Sequence, residues 1–104
     1  MKPLCCALLT LLPLTAIAYP IEVEKQFDGV KVDYTAHDVF HDIGSITVNN
    51  YGDVDAKCSV VFRNGPEAPR TRRVQIAAGK SVDVTSKFNR SIIKLRITLS
   101  CQPA

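Results

Sequence analysis

The chain has 104 residues, 46% of them hydrophobic and 22% charged, with a formal net charge of +3 and four cysteines. That length admits one small domain with a limited core and excludes a second one. Beyond the N-terminal leader no stretch approaches the roughly 18 consecutive apolar residues of a membrane-spanning helix.

Taken in chain order, the first segment reads as a secretory leader. Lys2 supplies a positive charge, Leu4 to Leu14 is almost wholly apolar, and Ala16-Ile17-Ala18 forms an A-x-A cleavage site. Cleavage after Ala18 leaves a mature domain of residues 19–104, soluble and destined for the periplasm or the exterior. Cys5 and Cys6 lie too early in the leader for lipid attachment. That leaves Cys58 and Cys101, which an oxidising compartment pairs. The bridge closes a loop of about 44 residues, contributing roughly 4 kcal/mol in the chain-entropy picture.

From Tyr19 onward, apolar and polar residues alternate with period two between turn signals, the pattern of strands with one buried face. Ile21 to Lys25 is a short strand. Val30, Val32 and Tyr34 alternate with Lys31 and Asp33; no convincing helix competes with the strands, and Tyr34 to Asp42 is the one place with room for a brief helical turn. Ile46 and Val48 form the next strand. Cys58, Val60 and Phe62 then share a face against Lys57, Ser59 and Arg63. Gly65 to Arg73 is the longest polar connection, followed by strands at Val74 and Ile76 and at Val82 and Val84. Last come Ile93, Leu95, Ile97, Leu99 and Cys101, all facing one way. Turn signals fall at Asp28-Gly29, Asn49 to Asp53, Asn64-Gly65-Pro66 and Ala78-Gly79-Lys80. Six or seven short strands at this spacing predict an all-β, antiparallel, immunoglobulin-like sandwich, with the disulfide inside because both cysteines sit on inward faces.

Two stretches carry a resemblance. Ile46-Thr47-Val48-Asn49-Asn50-Tyr51-Gly52-Asp53-Val54-Asp55-Ala56, with Val74 to Val82 downstream, resembles the strand and turn pattern of small bacterial immunoglobulin-like modules of the CARDB type. The resemblance implies a sandwich and a binding or accessory role in the cell envelope. The chain departs from such modules in its two core cysteines and its lack of tryptophan.

Charge divides by halves. Residues 19–55 hold eight acidic and two basic side chains, and residues 56–104 hold ten basic and two acidic ones. Pairing of the two halves across a sheet would let these charges meet and cancel. The functional alternative is a basic surface made of Arg63, Arg70, Arg72, Arg73, Lys94 and Arg96, suited to an anionic envelope component or an acidic protein. Few aromatics are available to stack on bases, so nucleic acid is not an expected partner.

Catalytic machinery is missing from the sequence. It contains no glycine-rich phosphate loop, no G-x-S-x-G elbow and no unpaired mature cysteine, so neither an enzyme nor a cofactor is expected. The one compact polar constellation is His37-Asp38-Val39-Phe40-His41-Asp42. His37 and His41, with Asp38 as a third donor, suit copper or zinc, whereas the plain reading is a solvated loop anchored by Val39, Phe40 and Ile43. The expected function is thus an exported, non-catalytic binding or structural module. A periplasmic metal-binding protein and a small hydrolase inhibitor, plugging its target with the loop from Asn64 to Arg73, are the alternatives.

Overall fold

The computed structural model describes residues 19–104, so the leader and its cleavage site lie outside the described residues. Seven strands follow one another: β1 (Ile21–Phe27), β2 (Val32–Phe40), β3 (Ile43–Asn50), β4 (Ala56–Asn64), β5 (Arg70–Ile76), β6 (Ser81–Lys87) and β7 (Leu95–Pro103). They form a four-stranded sheet in the order β1-β7-β4-β5 and a three-stranded sheet in the order β2-β3-β6, packed as a sandwich.

Period two in the sequence becomes inside and outside in the fold. Leu95, Ile97, Leu99 and Cys101 of β7 and Ala56, Cys58, Val60 and Phe62 of β4 are all buried, while Arg96, Lys57 and Arg63 point to solvent. Ile46, Val48 and Val84 oppose them from the other sheet. Each such aliphatic or aromatic side chain contributes about 1.5–3 kcal/mol on burial. Cys58 and Cys101 stand directly opposite each other in the β4–β7 ladder and are bonded. This disulfide joins neighbours within one sheet, unlike the bridge between sheets in antibody domains. It pins the register of the central pair, where a slip of one residue would turn every side chain to the wrong face.

One ladder departs from the antiparallel expectation: β1 runs parallel to β7. It is fastened at both ends, by Leu95 N–H donating to Pro20 O and by Asp28 N–H donating to Cys101 O, each at 3.0 Å. Ahead of it Tyr19 is buried, and its hydroxyl donates to the Ile43 carbonyl. Burial, then the nearby carboxylates Asp38 and Asp42, push this phenol above its ordinary value. After β1 the chain crosses to the other sheet through Gly29, whose φ of 72° suits glycine.

Four readings are corrected. Residues 34–42 form no helical turn, because β2 continues to Phe40 in register with β3 and only Val39 bulges out, between the Asp38–Gly44 and Phe40–Ile43 pairs. That bulge leaves Val39 and Phe40 exposed at 54% and 57%, so neither anchors the turn. The polar connection ends at residue 69, since Arg70 to Arg73 already pair with Phe62 to Ser59. Ile93 does not join the inward row of β7. The chain bends before Leu95, Ile92 takes the inward place at 6% exposure, and Ile93 is left at 85%.

Charge also distributes differently from simple cancellation. Only β1–β7 and β3–β6 join the acidic half of the chain to the basic half, while β2–β3, β4–β5 and β4–β7 pair within a half. One flank, made by β1 and β2, therefore carries Glu22, Glu24, Asp33 and Asp38 against Lys25 alone. The opposite flank, made by β5 and β6, carries Arg70, Arg72, Arg73 and Lys87 against Asp83. Both outer strands of the larger sheet place cations on their core-facing side. Lys25 is level with Leu99 and lies over the Tyr34 ring at 5.9 Å, and Arg70 and Arg72 are level with Phe62 and Val60.

Candidate functional site

One end of the sandwich gathers the β2–β3 turn, the loop of residues 65–69, the connection of residues 88–94 and the entry of the chain at Tyr19 and Pro20. The 88–94 connection is tied down at several points. Phe88 N–H donates to Asp42 O at 2.8 Å and Ile92 N–H to His41 O at 2.6 Å. The Glu67 carboxylate accepts from the backbone N–H groups of Asn89 (3.1 Å) and Arg90 (3.0 Å) and from Asn64 Nδ2 (2.9 Å), which also donates to Arg90 O at 3.2 Å. Partial desolvation pushes the Glu67 carboxyl up, but these donors and the Arg70 guanidinium outweigh it and hold the group below its ordinary value. Phe88 and Ile92 fill the space beneath, so Ile93 is turned outward by construction.

Around Ile93 opens a cleft of about 390 Å³ whose walls carry Arg63, Arg90, Lys94 and Arg96, with Pro66 at its rim. Arg63 and Arg96 face each other across the β4–β7 ladder, a like-charge pairing that a sheet tolerates only at a penalty. Glu22 answers on one side, 3.4 Å from Lys94 and 3.6 Å from Arg96. Among the described residues neither Arg63 nor Arg90 belongs to an ion pair. Four cations with Glu22 as their ion-pair partner among the described residues make this corner electropositive. Its arginines can hold a carboxylate or phosphate in bidentate fashion.

The six basic residues singled out from the sequence separate into two groups. Arg63, Lys94 and Arg96 line the cleft. Arg70, Arg72 and Arg73 lie along β5, where Arg70 stacks on the Phe88 ring at 5.4 Å and sits 3.8 Å from Glu67. Arg90 escaped the sequence reading because it lies in a turn with no periodic signal. The spacing of cations in Arg90-Ser91-Ile92-Ile93-Lys94-Leu95-Arg96 was the available clue.

The histidines turn to different hydroxyls. His37 Nε2 is 3.1 Å from Thr47 Oγ1, which donates its own proton to Asp83 Oδ1, so His37 must be the donor in that bond. His41 Nδ1 is 2.9 Å from Ser91 Oγ, and its Nε2 is 4.0 Å from Asp42 Oδ1. Asp38 is exposed and pairs through its backbone with Gly44. Among the described residues no group of three or more His, Cys, Asp or Glu side chains is placed to hold a metal ion.

No protein family, characterised protein or solved structure matches the chain. Among the described residues no helix is long and apolar enough to cross a membrane.

Proposed function

We propose that the protein is an exported, non-catalytic binding module of the cell envelope, of the immunoglobulin-like kind, whose end cleft docks an anionic partner. The observation that carries this reading is the convergence of Arg63, Arg90, Lys94 and Arg96 on one cleft, with Glu22 as the only carboxylate in an ion pair with them among the described residues. The leader-like N-terminus and the buried disulfide support an oxidising, extracytoplasmic setting. An anionic envelope component and an acidic stretch of a protein both satisfy the chemistry.

Titrating fluorescently labelled dextran sulfate and following anisotropy tests the reading. Binding is expected at low salt, should fall steeply by about 0.5 M salt where the Debye length drops below about 5 Å, and should weaken in the R63A/R96A variant. Equal binding by the wild type and R63A/R96A, or none by either at low salt, would remove the cleft as the docking site.

A further inference from the structure

We infer that the anionic partner of the end cleft is a lipid surface, with Arg63, Arg90, Lys94 and Arg96 meeting lipid phosphates while Ile93 enters the headgroup region. This rests on the anion-docking reading above and names its partner. Two observations carry it.

The first is Ile93 itself. At 85% exposure it is the most exposed large apolar side chain among the described residues, and it lines the same cleft as the four cations. A soluble polyanion gains nothing from an isoleucine between its charges. The boundary of an anionic bilayer offers both phosphates and acyl chains within a few ångströms, and that is the environment an apolar tip flanked by Lys and Arg fits.

The second is that the exposure is built. The bracket of Asn64 and Glu67 fixes the backbone at Asn89 and Arg90, and buried Phe88 and Ile92 occupy the space below, leaving Ile93 no inward alternative. Phe40, 57% exposed, adds an apolar side chain to the same end through its neighbour His41, whose ring is bonded to Ser91.

Glu22 beside Lys94 and Arg96, Glu67 at the Arg90 backbone, and Asp38 and Asp42 near Phe40 are carboxylates that oppose docking; among the described residues none of them forms an ion pair with Arg63 or Arg90.

The test compares vesicles with a soluble polyanion. In co-sedimentation at low salt, the purified protein should bind vesicles containing phosphatidylglycerol and not vesicles of pure phosphatidylcholine. I93S, an uncharged change at an exposed position, should weaken vesicle binding roughly tenfold, the loss expected for one buried aliphatic side chain, and leave dextran sulfate binding unchanged. R63A/R96A should weaken both. The chain has no tryptophan, so I93W is a single reporter whose emission should shift to the blue with anionic vesicles and stay put with dextran sulfate. Binding of dextran sulfate without binding of vesicles overturns the lipid assignment and leaves the anion-docking reading standing. Vesicle binding that ignores I93S, with no blue shift in I93W, overturns the insertion of Ile93. Absence of binding to either probe overturns both.

Discussion

Asn50 offers the sharpest test of how the sandwich is held together. Its side chain is 2% exposed and fully engaged: Nδ2 donates to Val54 O at 2.8 Å and to Ile76 O at 3.0 Å, and Oδ1 accepts from Gly52 N–H at 3.0 Å. Its backbone accepts from Gly79 N–H at 2.8 Å and donates to Lys80 O at 2.9 Å, so one residue ties the 51–55 loop to the end of β5 and to the β5–β6 turn. Asn50→Ala deletes three side-chain hydrogen bonds of about 1 kcal/mol each and strands their buried partners, for a loss of about 3 kcal/mol. With a urea m-value near 1 kcal/mol/M for a domain this small, the denaturation midpoint should fall by roughly 3 M. Asn50→Asp keeps the shape but aims an acceptor at two carbonyl oxygens. Its carboxyl should therefore stay protonated above the usual value of about 3.9. A group whose pKa is raised by folding stabilises below its unfolded pKa and loses that contribution as pH rises through the folded one. N50D should thus lie furthest below the wild type at pH 7 and closest to it near pH 4. A midpoint for N50A within 0.5 M of wild type, taken as about half a kcal/mol, would refute the assignment of these bonds, as would an N50D deficit that does not change with pH.

The remaining predictions concern separate parts of the fold. Reducing the protein, or replacing both cysteines in C58A/C101A, should remove about 4 kcal/mol through the loop of about 44 residues, read as a large drop in the urea midpoint. Glu67→Gln should lower the midpoint at pH 7 and converge with wild type in acid. The folded pKa of Glu67 lies below its ordinary 4.5, so its contribution is present above that value and is lost as pH falls through the folded one. Gly44→Ala should cost about 1–3 kcal/mol by overpacking, because its Cβ would overlap Leu95 Cδ2 and approach Tyr19 Oη; thermal denaturation followed by circular dichroism measures it.

The sandwich was legible because alternation is a local signal and burial obeys it. β4 and β7 could be read side chain by side chain, and the inward cysteines implied their bridge. What stayed hidden depends on partners distant in sequence. No local pattern says that β1 pairs parallel with β7, since that pairing is chosen by the vacant side of β7 in the folded sheet. Asn50 reads as a turn residue, and only the fold reveals it as a buried hub. Ile93 was misassigned for a related reason. Counting by two from Cys101 back to Leu95 succeeds, but the count cannot see the bend that exchanges the faces of Ile92 and Ile93. The cleft inherits that blindness, because three of its cations were readable while their convergence on an outward isoleucine was not.

The cations on the core-facing side of the two outer strands have a consequence for life in a crowded compartment. A strand from another molecule that tried to extend the larger sheet beyond β1 would have to cover Lys25, and beyond β5 it would have to cover Arg70 and Arg72. Each would strip water from a charge at the margin of the hydrophobic layer. The larger sheet therefore polices its own borders, and its four strands resist being extended into fibres at either edge.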